Sequence, residues 1–122
     1  MGGSSMILYL SGPISSDPEG YRRKFWQAAD YLKFNLGHTV LNPAILPDGL
    51  KSYDDYIKIG LSMMAAADGI VLLDGWKKSN GARIEVRAAA KTGKKIFFGL
   101  LRVPKQEEAE TTEEQHETRQ FV

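Results

Sequence analysis

A chain of 122 residues, 43% hydrophobic and 25% charged, makes one domain around a single core, with no room for a second catalytic domain. It has no cysteine, which excludes disulfides and thiol chemistry, and its two histidines, His38 and His116, lack the spacing of zinc ligands. The net charge of +1 hides an asymmetry: residues 104–122 hold six glutamates against Lys105 and Arg119, a balance of −4 that leaves the remainder at +5.

Met1–Ser5 reads as an artificial extension ahead of a natural start at Met6. No secretory signal is visible, and no apolar run approaches the ~18 residues of a membrane span, so the expectation is a cytoplasmic protein. Met6–Leu10 is a short apolar run closed by Ser11, Gly12 and Pro13, the pattern of a buried parallel strand that ends in a tight loop. Ser15, Ser16 and Asp17 offer N-caps, and Pro18 suits a first helical turn. From there Tyr21, Phe25, Ala28, Ala29, Leu32 and Leu36 recur at helical spacing, until Gly37 supplies a C-terminal stop. Thr39–Leu41 is a second strand, closed by Asn42 and Pro43. Residues 44–52 form a loop, and the pattern predicts a second helix from Tyr53 to Ala67.

Gly69–Leu73 is as apolar as a central parallel strand. Asp74–Lys78 is a loop, and Ser79–Gly81 opens a third helix that runs to about Thr92. Gly93 stops it, and Lys95–Phe98 is a fourth strand. The order β-α-β-α-β-α-β predicts a three-layer α/β domain over residues 6–103, with a parallel sheet of four to five strands and helices on both faces. Beyond Pro104 the composition changes: between Gln106 and Gln120 only Ala109 is apolar. Residues 104–122 therefore read as an acidic tail, poorly ordered or a solvated helix, whose Phe121 and Val122 are able to dock on a partner subunit.

In open parallel sheets, ligands bind beyond the carboxyl ends of the strands. That rule selects Ser11–Ile14, Asn42 and Pro43, Asp74–Trp76 and Gly99. Ser11 and Gly12 can bring backbone N–H groups close to a ligand. Ser79, Asn80 and Gly81 begin a helix whose free N–H groups and dipole favour an anion. Together the two turns can grip a phosphate; each alone is also an ordinary turn. A mildly basic body suits such a small phosphorylated ligand better than a nucleic acid, whose binders carry denser basic stripes with interleaved aromatics.

Glu85 is the most informative residue. Its helical neighbours are Gly81, Ala82, Ala88 and Ala89, all small, which leaves open space for a sugar ring above the carboxylate. The nearby helix N-terminus favours the ionised form that a nucleophile needs. The alternative is a solvated glutamate on a helix packed through its alanines. Tyr9, near the end of the first strand, is either a hydroxyl that reaches this carboxylate or a core tyrosine. Asp74 is either a second carboxylate or the cap of its turn, and Trp76 either stacks on a base or covers the core. Asp68 and His38 fall at the opposite sheet edge and read as structural. Neither a metal nor a cofactor is expected.

Residues 9–14 (Tyr-Leu-Ser-Gly-Pro-Ile), 37–44 (Gly-His-Thr-Val-Leu-Asn-Pro-Ala), 67–76 (Ala-Asp-Gly-Ile-Val-Leu-Leu-Asp-Gly-Trp) and 79–85 (Ser-Asn-Gly-Ala-Arg-Ile-Glu) together resemble the nucleoside 2-deoxyribosyltransferase-like superfamily. Within it they are most similar to the DUF4406 group of short bacterial and phage proteins, over about residues 6–100. The superfamily includes nucleoside deoxyribosyltransferases and deoxynucleoside 5′-monophosphate N-glycosidases. The resemblance implies a flavodoxin-like, Rossmann-like sheet in a homodimer or larger homo-oligomer whose partner chain completes the site. It implies Glu85 as nucleophile, Tyr9 as the tyrosine beside it, Ser11 to Ile14 as the loop around sugar and phosphate, and Ser79 as the serine that holds a 5′-phosphate.

Many relatives carry an aspartate eight residues before the aspartate of the third strand, where it helps protonate the leaving base. Counting back from Asp68 reaches Gly60. The general acid is then Asp74, supplied otherwise, or missing. The expectation is an N-glycosidase or deoxyribosyltransferase acting on a (deoxy)nucleoside 5′-monophosphate through a glutamate nucleophile. The rivals are a nucleotide-binding module without catalysis and an enzyme that cleaves the nicotinamide–ribose bond of NAD.

Overall fold

Strands and helices alternate along the chain as β1 (Ile7–Ser11), α1 (Tyr21–Asp30), β2 (Thr39–Leu41), α2 (Tyr53–Ala65), β3 (Gly69–Leu72), α3 (Asn80–Lys91) and β4 (Lys95–Phe97). The computed structural model describes residues 4–106. Most of the expected tail, and Met1–Gly3 of the expected extension, lie outside the described residues.

The four strands form one all-parallel sheet in the order β2-β1-β3-β4. The chain leaves β1 toward one edge of the sheet and leaves β3 toward the other. Right-handed crossovers therefore put α1 on one face and α3 on the opposite face. Because side chains alternate along a strand, Leu8, Leu10 and Val71 bury against Phe25, Ala28 and Leu32 on the α1 side. Tyr9, Ile70 and Leu72 bury against Met64, Ala67 and Ala89 on the side of α2 and α3. This is the predicted three-layer α/β arrangement, with four strands among the described residues. The reversal of winding opens a crevice at the carboxyl ends of β1 and β3.

Two local expectations change. Helix α1 begins at Tyr21 behind Gly20, with no side-chain cap. Asp17 binds Lys24 at 2.7 Å instead, and its carbonyl accepts from Gly20 and Tyr21, so Ser15 and Ser16 are not caps. The same helix also widens at its end into a π-turn over Tyr31–Asn35, closed by Leu36 N–H donating to the Tyr31 carbonyl at 3.2 Å. Gly37, with φ of +82°, ends it as predicted.

The amino ends of the strands are tied down by polar side chains. His38 Nδ1 accepts from Met6 N–H at 3.1 Å, so Nε2 carries the proton and donates to the Pro104 carbonyl at 2.6 Å. Asp68 accepts from Ile7 N–H at 2.8 Å, and Lys94 donates to the carbonyls of Ala65 and Ala67 at the end of α2. Both His38 and Asp68 are thereby placed at the edge away from the crevice and given structural partners.

Candidate functional site

Tyr9 and Ser11 lie two residues apart on β1 and so share the face turned to α2 and α3. On α3, Ala82 and Ala89 are buried one turn before and one turn after Glu85. Side chains this short let the helix lie close to the sheet, and a glutamate between them reaches β1. Its Oε2 accepts from the Tyr9 hydroxyl at 2.6 Å and its Oε1 accepts from Ser11 Oγ at 2.6 Å. Glu85 is only 7% exposed, which removes the alternative of a solvated surface glutamate.

A third element bounds the carboxylate. Gly60 of α2 faces it so closely that a Cβ added there would collide with the Glu85 carboxylate and lie 2.7 Å from the Tyr9 hydroxyl. The space that a side chain at position 60 needs is already filled by the carboxylate and its donor. An acid at this position requires the Glu85–Tyr9 pair to move.

Burial pushes the Glu85 carboxyl above its ordinary range, against the downward pull of its bonds to Ser11 and Tyr9. The net direction is upward because loss of water outweighs the two favourable contacts. Tyr9 is also pushed up, first by burial, then by the Glu85 charge and the bond to it. The phenol therefore keeps its proton and remains a donor to Glu85.

One cleft of about 750 Å³ joins Glu85 and Tyr9 to the loop Ser11–Ile14 and to the turn Ser79–Gly81. Ser79 caps α3, its Oγ accepting from Ala82 N–H at 3.2 Å, and its carbonyl accepts from Arg83 N–H at 3.0 Å. The N–H groups of Asn80 and Gly81 are left for a ligand at the positive end of a 12-residue helix. Anion-binding donors and a desolvated carboxylate thus open into the same space.

Other predicted residues are not brought there. Asp74 and Trp76 line a separate hollow of about 340 Å³ with Phe98 and Gly99. Trp76 packs on Phe98 with ring centroids 5.7 Å apart. Asp74 therefore does not line the cleft that holds Glu85. Asn42 is buried, and its Oδ1 accepts from Ala44 N–H at 2.9 Å to cap a short 3-10 turn. It does not line the cleft, although its neighbour Pro43 does.

The cleft also contains groups that the sequence reading did not assign. Tyr53 at the start of α2 reaches the cleft mouth, its hydroxyl 3.3 Å from where a Cβ on Gly81 would lie. Burial and then the Glu85 charge push this phenol up. Tyr56 donates to the Pro47 carbonyl at 2.8 Å and accepts from Leu50 N–H at 3.3 Å, so it braces the loop over residues 44–52. Arg22 holds the same loop through the Leu46 carbonyl and Asp48. The available signal was positional: this loop leaves the carboxyl end of β2, and Tyr53 follows it directly.

The family model described as "Domain of unknown function (DUF4406)" matches residues 6–98. No curated protein and no solved structure matches the chain. Among the described residues, no helix is long and apolar enough to cross a membrane.

Proposed function

The chain belongs to the DUF4406 family, and we propose that it breaks the N-glycosidic bond of a nucleoside 5′-monophosphate, with Glu85 as nucleophile. The observation that carries this reading is the cleft shared by the Glu85 carboxylate, held by Tyr9 and Ser11, and the free N–H groups at the start of α3. Ser79 and Glu85 are six residues apart, about 9 Å along a helix axis, and a glutamate side chain leans back toward the helix N-terminus. The interval is that of one sugar, with phosphate at the Asn80 and Gly81 N–H groups and C1′ at the carboxylate.

In this reading Tyr9 and Ser11 are positioning residues. Two hydroxyl donors fix the carboxylate plane and hold down the basicity that burial raises. Glu85 attacks C1′, the C1′–N bond breaks, and water or a second base resolves the glycosyl ester. The likeness to nucleoside 2-deoxyribosyltransferase-like enzymes, and the assembly of two or more copies around the site, belong to the same proposal. Incubation with a panel of ribo- and deoxyribonucleoside 5′-monophosphates, with free base assayed, tests it. Base release by the parent and none by Glu85→Ala is the expected result; equal release by both proteins removes Glu85 from the role.

The crowding at Gly60 favours a second reading, a nucleotide-binding module without turnover. It predicts saturable nucleotide binding and no free base from any member of the panel.

A further inference from the structure

The leaving group is where this cleft is unusual. Breaking a C1′–N bond to an uncharged purine or pyrimidine pushes an electron pair onto a ring nitrogen, and the departing anion needs a proton. Among the described residues, two carboxyl groups line the cleft, Glu85 and Asp48. Glu85 is the nucleophile, and Asp48 is paired with Arg22 at 3.2 Å on the outer loop. On α2, Gly60 faces the reacting carboxylate, and the space above it is filled by Glu85 and Tyr9. Tyr9 has its proton committed to Glu85, and Tyr56 has its own committed to Pro47. What remains around the cleft is the phenols of Tyr21 and Tyr53 and the ammonium groups of Lys51 and Lys78, all weak acids.

The same walls suit a positive ligand. Tyr53 and Tyr56 of α2 line the cleft, and aromatic faces attract cations; the Tyr21 ring already holds a cation, the Arg22 guanidinium 5.1 Å from its centroid. A desolvated carboxylate attracts them more strongly than a solvated one does. Building on the proposed glycosidase reading, we infer that the natural leaving group is a cationic N-heterocycle, a pyridinium or an N-alkylated purinium ring, joined to ribose or deoxyribose 5′-phosphate.

The chemistry then balances without an acid. A Glu85 oxygen forms a bond to C1′ as the C1′–N bond breaks. The bonding pair passes to the ring nitrogen and cancels its positive charge, so a neutral base departs with no proton added. Water next attacks C1′ of the ester and returns the carboxylate, and its surplus proton goes to solvent. The net products are neutral base, sugar phosphate and one proton.

The test compares one base with and without its charge. 7-Methyl-2′-deoxyguanosine 5′-monophosphate and 2′-deoxyguanosine 5′-monophosphate are assayed in parallel at mildly acidic pH, with spontaneous loss subtracted. Nicotinamide mononucleotide forms a third arm that separates a pyridinium from a purinium preference. General acid help is worth about 10²–10⁴-fold, so kcat/KM for at least one cationic substrate should exceed that for 2′-deoxyguanosine 5′-monophosphate by at least about 100-fold. Glu85→Ala should abolish release from it. Turnover of the neutral nucleotide within about tenfold of both cationic ones overturns the inference and leaves the glycosidase reading standing. Failure of every nucleotide in this set and in the neutral panel to lose its base overturns both.

Discussion

Gly60→Ala isolates the contact on which the site geometry depends. At an exposed position inside a helix this change stabilises by about 0.8–1 kcal/mol, because alanine is the better helix former. Here the new methyl group meets the Glu85 carboxylate and lies 2.7 Å from the Tyr9 hydroxyl, and both groups are buried. Overpacking a close-fitting interior costs about 1–3 kcal/mol, and disturbing a hydrogen bond to a charged group adds about 1.5–3 kcal/mol. With the helix gain subtracted, the substitution should destabilise by about 1.5–5 kcal/mol, measured as the shift of a denaturant unfolding midpoint at fixed slope. Removing Glu85 opens the crowded space, so the same substitution in a Glu85→Ala background should be neutral or stabilising by up to about 1 kcal/mol. The coupling in this double-mutant cycle is then about 1.5–6 kcal/mol. If Gly60→Ala is equally stabilising in both backgrounds, the carboxylate does not occupy the space above Gly60, and position 60 has room for an acid.

Glu85→Gln should change how stability depends on pH. Glu85 is raised in the folded protein, so the native state holds its proton to higher pH than the unfolded chain does. Its contribution is therefore complete below the ordinary glutamate range, about 4.3, and is lost as pH rises through the folded value. Urea midpoints from about pH 4 to about pH 8 should fall less in the variant than in the parent, and parallel curves would count against a buried, proton-retaining carboxyl. Tyr9→Phe and Ser11→Ala each remove a bond that lowers the Glu85 carboxyl. Each should move the acid limb of the base-release profile to higher pH, and an unmoved limb would show that the hydroxyls do not tune the nucleophile. Ser79→Ala should cost about 1 kcal/mol through loss of the cap, measured by urea unfolding. In calorimetric titration it should weaken a nucleoside monophosphate more than the parent nucleoside, and equal losses would separate Ser79 from the phosphate.

Much of the fold was legible because the strongest sequence signals are local. Apolar runs over Met6–Leu10 and Gly69–Leu73, separated by stretches of helical period, allow little except a parallel α/β sheet. Positive-φ glycines at Gly37 and Gly93 mark two helix ends within a residue or two of where the pattern put them. The start of α1 was not legible. Ser15 and Ser16 look like caps, but Asp17 with Lys24 and the Gly20 backbone supply the turn, and that choice depends on a pairing seven residues away. The π-turn at Tyr31–Asn35 left no mark in the spacing of Leu32 and Leu36.

The site was legible in its parts and not in its contacts. The strand-end rule picked out Ser11, and the cluster of small residues picked out Glu85. Nothing in the spacing says that Ser11 spends its hydroxyl on Glu85, because that bond joins residues 74 positions apart. The same rule also selected Asp74 and Trp76, since it knows which edge of the sheet a turn occupies but not which way the turn faces. Gly60 is the instructive case. By count from Asp68, it falls where many members of the superfamily that the motifs resemble carry an acid. In the fold it is the position where any side chain would strike the Glu85 carboxylate, so a glycine there is what permits the Glu85–Tyr9 bond. The glycine at position 60 and the tightly held carboxylate are then one structural fact, and under the proposed reading a base that leaves without needing a proton is the one that such a site serves.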